Sequence, residues 1–171
     1  MNRSAGADLV QKTAGVPDAL TERFWVREGL PLRSLLPDEK PEGEGTVISL
    51  SPGLSIAAVA GAGGAMLDAG RTIGGWCSYR CELAVPRRFA ARAGKRLAGG
   101  APAEEIVSGK IREAMQDLLS HASAQKEDAA RLRITLSRRL RDEAGKELLS
   151  LGWRLTSCRL EDILITRSEA Q

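Results

Sequence analysis

The chain has 171 residues, 43% hydrophobic and 27% charged, which suits a globular protein with one well-buried core plus tails. Its 25 basic and 22 acidic residues are interspersed, so the net charge of +3 gives no reason to expect nucleic acid as a partner. Three cysteines, an odd number, argue against a disulfide framework and fit a reducing compartment.

Residues 1–45 read as an N-terminal tail and linker, partly flexible. The first sixteen are small and polar, with no apolar core of a secretory signal behind Arg3. Pro17 to Gly29 fits a short helix, with Leu20 and Phe24 one turn apart; Arg23 to Glu28 fits a strand equally. The pair Phe24-Trp25, flanked by Arg23 and Arg27, has two readings: an aromatic anchor at a membrane or partner surface, or the cap of a small core. Pro31, Pro37 and Pro41, with the acidic, glycine-rich run Asp38 to Gly45, mark the linker.

The uncharged run Gly45 to Leu67 is long enough to cross a bilayer, but its five glycines, Pro52 and three serines favour two strands, Thr46–Leu50 and Leu54–Ala60, joined by a Ser51-Pro52-Gly53 turn. Gly61-Ala62-Gly63-Gly64 after the second strand resembles a dinucleotide-binding turn, and Glu82 stands near the position of a ribose-binding acid. Met66 replaces the third glycine of that fingerprint, so a glycine-rich hairpin is the competing reading. Trp76 to Val85 alternates as a strand, with Cys77, Tyr79, Cys81, Leu83 and Val85 on one face and Trp76, Ser78, Arg80, Glu82 and Ala84 on the other.

A helix is expected over 86–98. It places Arg88, Arg92 and Arg96 on one ridge and Phe89, Ala93 and Leu97 on the next, a surface suited to an anionic membrane or a partner. From Leu83 to Ala103 there are five basic residues and no acidic one. Ile106, Val107, Ile111, Met115, Leu118 and Leu119 predict a helix over 103–122, with lone His121 at its end bonding the last carbonyls. Leu132, Leu136, Leu140, Ala144 and Leu148 predict a third helix over 125–150, its charged faces carrying Arg138, Arg139, Asp142 and Glu147. Gly152 closes it, and Trp153 to Ile165 reads as a strand whose alternation slips between Leu155 and Cys158, the mark of a bulge. Residues 166–171 are left as a tail.

Long amphipathic helix, Gly152-Trp153, then a strand finishing Leu160-Glu161-Asp162-Ile163: this order resembles the C-terminal half of the SPFH (band 7) domain of stomatins, prohibitins and flotillins. Pro52-Gly53-Leu54-Ser55-Ile56, the Asp68/Arg71/Thr72 group, Tyr79-Arg80 and Pro86-Arg87-Arg88-Phe89-Ala90 are similar to that family's successive strand and turn boxes. Val85 stands where the family usually has an acidic residue. The resemblance spans Gly45 to Ile165 and implies an SPFH-like domain over 46–165. Its expected fold is α+β: a strongly twisted antiparallel sheet formed by Thr46 to Val85 and the final strand, with amphipathic helices on one side.

The implied function is a non-enzymatic scaffold that self-associates into a ring or cage at a membrane surface and organises partner proteins, with Arg138, Arg139, Asp142, Glu147 and Glu161 as oligomer contacts. No cofactor and no metal are expected, and the place of action is the cytoplasm or the cytoplasmic face of a membrane. Family members usually carry an N-terminal membrane segment and a C-terminal coiled coil. Neither is visible in this sequence, so assembly is expected to be weak or adapted to another partner. Two alternatives stand beside this expectation: a nucleotide-binding enzyme using Gly61–Gly64, and a monomeric peripheral membrane module using helix 86–98.

Overall fold

A computed structural model describes residues 9–10, 21–68, 70–122 and 129–167. Most of the 1–16 tail, residues 168–171 and the start of the third helix lie outside the described residues. The fold is a small α+β domain of seven strands and three helices among the described residues. Its strands form two sheets.

The first sheet has the order β1-β4-β2-β3, from β1 (Leu9–Val10), β2 (Glu22–Val26), β3 (Arg33–Leu35) and β4 (Thr46–Leu50). Strand β2 runs antiparallel to both β3 and β4, and β1 runs parallel to β4. This differs from the expectation of one sheet beginning at Thr46. Pro52 cannot donate to a ladder, and Gly53 turns at a φ of 81°. The Gly53 N–H then bonds the Leu83 carbonyl at 2.8 Å, so the turn hands the chain to a different sheet instead of folding β4 back on its successor.

The segment read as tail and linker thus supplies three strands, β1, β2 and β3, to that sheet. Phe24 lies opposite Ile48 in the register, and both enter the core. The proline-rich stretch that follows is tied back to β2, because the Arg23 guanidinium donates to the carbonyls of Leu36, Pro37 and Glu39 at 2.8–3.1 Å. One cation satisfying three carbonyls holds a turn that no hydrophobic pattern announces.

The second sheet is an antiparallel meander, β5 (Ser55–Asp68), β6 (Arg71–Leu83) and β7 (Trp153–Arg167), with β6 in the middle. Its inner face carries Ile56, Ala60, Ala65, Ile73, Cys77, Tyr79, Cys81, Leu83, Trp153 and Leu160, all buried. Strand β6 ends at Leu83, earlier than expected, and Val85 becomes the exposed residue before α1 (Pro86–Ala98). There Pro86 opens the helix, where its missing N–H costs nothing.

Helix α1 packs on β2 and β4, while α2 (Ala103–Ser120) and α3 (Ala129–Ser150) pack on each other and on the second sheet. The five-residue stripe Leu132, Leu136, Leu140, Ala144 and Leu148 is wholly buried, as its spacing requires. Helices and both sheets meet in one continuous apolar cluster. At its centre the Phe89 and Trp153 rings meet edge to face with centroids 5.2 Å apart, a geometry worth about 1 kcal/mol beyond burial.

The closing strand depends on Gly152, which has φ +86° and whose carbonyl accepts from the N–H groups of Ala84 and Val85 at 2.9 Å each. From there β7 pairs with β6 along its whole length. The register skips Thr156, between Cys81↔Leu155 and Arg80↔Ser157, which is the bulge expected from the slipped alternation. A second skip falls at Glu161.

Candidate functional site

The sequence-derived site residues do not converge on one cleft; they distribute over three surfaces. Helix α1 presents Arg87, Arg88, Arg92, Lys95 and Arg96 to solvent and turns Phe89, Ala93 and Leu97 inward, as the two ridges predict. Only light engagement holds these cations: Arg88 donates to the Leu149 carbonyl, and Arg96 stands 3.9 Å from Glu105. An exposed pair at that distance is worth little, so the face keeps its positive field.

Phe24 and Trp25, offered as a membrane or partner surface, are not exposed. They are 2% and 7% accessible, and Trp25 is held between cations, with the Arg27 guanidinium carbon 4.2 Å and that of Arg33 5.2 Å from its ring. Of the two flanking arginines that suggested an interface anchor, Arg27 covers the ring and Arg23 is engaged by the 36–39 carbonyls. As adjacent residues of a strand the two point to opposite faces of the sheet: Phe24 enters the core and Trp25 is buried on the other side.

Arg138, Arg139, Asp142 and Glu147 are exposed on α3, and their side chains make no hydrogen bond or ion pair with the described residues. Glu161 differs from the other four. It is half-buried, accepts from the Ser78 hydroxyl and pairs with Arg159 at 3.7 Å. Its carboxylate is therefore occupied inside the chain and is a poor candidate for an intermolecular contact.

Gly61 to Gly64 lie within β5, which continues to Asp68 and pairs with β6 on both sides of a bulge between Ala62 and Ala65. No helix follows, so the strand-turn-helix arrangement that presents amides to a pyrophosphate is not formed there. The close packing that requires glycine lies on the neighbouring strand: a Cβ on Gly74 would lie 3.1 Å from the Ala62 carbonyl oxygen and the Gly63 Cα, and one on Gly75 2.7 Å from the Asp162 carbonyl oxygen.

Sequence reading missed the character of the outer sheet face. Around a shallow depression of about 430 Å³ floored by Gly61, Gly63 and Gly74 stand Trp76 and Leu164, 44% and 61% accessible. The alternation in β6 already put Trp76 opposite the cysteines; what it could not show was that nothing in the described residues covers it.

The three thiols lie on the inner face. Cys77 on β6 stands opposite Leu160, and Cys158 on β7 stands opposite Tyr79, so the two are diagonal neighbours. Interaction between the two thiols raises Cys77 and lowers Cys158, which the Arg141 guanidinium favours further as a thiolate. Burial alone pushes Cys81 up to about 12. His121 is exposed at the end of α2, its Nδ1 2.8 Å from the Asp117 carbonyl oxygen, in the helix-terminal role expected of it. No group of three or more metal-ligating side chains occurs among the described residues.

No helix among the described residues is long and apolar enough to cross a membrane. Comparison of the chain with models of known protein families and with curated proteins returned no match.

Proposed function

We propose that this chain is an SPFH-like scaffold domain, non-enzymatic, that self-associates and organises partner proteins, at a membrane surface when one is available. The observation that carries this reading is the return of β7 from Gly152 to pair along all of β6, after a hairpin and three helices. That order is what the resemblance to the SPFH family expects of its second half. It also sets fifteen residues of β7 at a sheet edge beside the exposed, unpaired charges of α3. An edge strand and free charges of both signs are the raw material of lateral contacts.

A second reading, a monomeric module that binds membranes through α1, is favoured by the five exposed cations of that helix. Near anionic lipid each contributes about 1 kcal/mol. Size-exclusion chromatography with light scattering, run over a range of concentrations with and without anionic vesicles, separates the two. The scaffold reading expects masses above the 18.3 kDa of one chain that rise with concentration. Arg138→Glu with Arg139→Glu should return the protein to one chain. A concentration-independent monomer under both conditions overturns the scaffold reading. Vesicle binding by that monomer, lost in Arg88→Glu/Arg92→Glu/Arg96→Glu, establishes the second.

A further inference from the structure

We infer that Cys158 and Cys77 form a peroxide-reactive thiol pair, in which Cys158 is the modification site and Cys77 the resolving thiol that closes a reversible disulfide between β7 and β6. Three observations of placement carry this, and none depends on the scaffold reading.

The two thiols are neighbours. They occupy the same face of adjacent strands as a diagonal pair, and each shifts the titration of the other. Diagonal neighbours are farther apart at their Cα atoms than a disulfide prefers, so the strands must shear slightly for the bond to close. Slack for that movement is built in. The ladder is interrupted on both sides of the four-residue stretch that holds the pair, by the skips at Thr156 and Glu161.

Their exposure is unequal. Cys77 is completely buried, whereas Cys158 is partly open to solvent. An oxidant therefore meets Cys158 first and finds Cys77 behind it. Cys81 shares the inner face but is buried and stands opposite Leu155, on the far side of the Thr156 skip.

A cation is stationed at the open thiol. The Leu160 N–H donates to the Ser137 hydroxyl at 3.2 Å, which holds α3 alongside β7 at this level. Arg141 is one helical turn beyond Ser137 and acts electrostatically on Cys158, two residues back along the strand. A partly open sulfur beside a second thiol and within the field of a guanidinium is the setting that makes a cysteine nucleophilic.

The chemistry balances with hydrogen peroxide as the oxidant. The Cys158 thiolate attacks one peroxide oxygen; an S–O bond forms, the O–O bond breaks, hydroxide leaves and the sulfur is oxidised by two electrons to the sulfenic acid. The Cys77 sulfur then attacks the Cys158 sulfur. The S–S bond forms as S–O breaks, and the Cys77 proton departs with the hydroxyl as water. The closed loop contains all three helices, so oxidation fixes the closing strand to the hairpin.

The test treats the intact chain with stoichiometric peroxide, followed by mass spectrometry and peptide mapping. The expected product has lost two hydrogens, contains a crosslinked Cys77–Cys158 peptide and is restored by dithiothreitol. Cys81→Ser should behave as the parent. Cys77→Ala should stop at a Cys158 sulfenic acid that dimedone traps, and Cys158→Ser should leave Cys77 unmodified. Because the decisive product is read on the unaltered chain, a poorly folding variant does not weaken the test. Oxidation without the intramolecular crosslink, disulfides only between chains, or modification of Cys81 as fast as Cys158 overturns the proposal.

Discussion

Replacing Gly152 by alanine tests the central claim about how α3 gives way to β7. Gly152 holds φ +86°, a region that costs an L-residue about 1–2 kcal/mol. A Cβ built there would lie 2.4 Å from the Val85 carbonyl oxygen, 3.1 Å from the Arg88 Cβ and 3.3 Å from the Phe89 nitrogen. Two of these are backbone atoms, so no flexible side chain can swing aside. Moving them displaces the pair of hydrogen bonds from Ala84 and Val85 to the Gly152 carbonyl, each worth about 1 kcal/mol. The sum is on the order of 3 kcal/mol, which for a chain of this size lowers Tm by roughly 6–12 °C. Urea denaturation should show the same loss at an unchanged m-value, since the surface exposed on unfolding is the same. Gly109→Ala is the internal control: it lies within α2 with nothing inside 4 Å of its new Cβ, so it should stabilise by about 0.5–1 kcal/mol. A Gly152→Ala protein within about 0.5 kcal/mol of the parent would falsify the claim that this turn is sterically reserved for glycine.

Tyr79 and Ser108 are both buried and share a hydroxyl hydrogen bond between β6 and α2. Tyr79→Phe should cost about 1–2 kcal/mol, and the double variant with Ser108→Ala less than the sum of the singles, as measured by chemical denaturation. Strict additivity would mean the bond contributes nothing. Cys81 gives a pH dependence with a definite sign. Its thiol is raised from 9.0 to about 12 in the folded state, so the unfolded chain loses this proton first as pH rises. Stability from this group is complete below pH 9 and is lost between pH 9 and 12, by up to about 1.4 kcal/mol per pH unit. Cys81→Ala should flatten that part of a stability profile taken by thermal melts; burial also raises Tyr79 above its usual value, so some alkaline loss should persist in the variant. Finally, Arg23→Ala removes the guanidinium that binds the Leu36, Pro37 and Glu39 carbonyls. Limited proteolysis should then cut in the 36–45 stretch at least several-fold faster, with the rest of the chain protected.

Much of the second half was legible because its signals are local. Helix periodicity gave α1 its bounds and gave α2 and α3 their buried stripes, and the broken alternation between Leu155 and Cys158 located a bulge. The first half was less legible. Phe24 and Trp25 suit a short helix, an interface anchor or a strand, and only the pairing of β2 with β3 and β4 distinguishes them. The Arg23 clasp on the proline-rich stretch is invisible in sequence, since any arginine can donate to any carbonyl brought near it. Glu161 shows the same limit at the candidate surface: its charge could be read from the sequence, but its hydrogen bond to Ser78 on β6 could not.

Local sequence was enough to settle which stretches after Val85 are helices, which face of each helix and of β6 is apolar, and where α3 must stop, because side-chain period and glycine chemistry act over a few residues. Long-range pairing settled the rest: that Thr46–Leu50 belongs to a different sheet from its neighbour, that Phe24 and Trp25 are interior, and that Cys77 and Cys158 are diagonal neighbours. Those outcomes depend on which distant strand satisfies each backbone N–H and C=O. That choice is settled by the packing of the whole core rather than by any short stretch of chain.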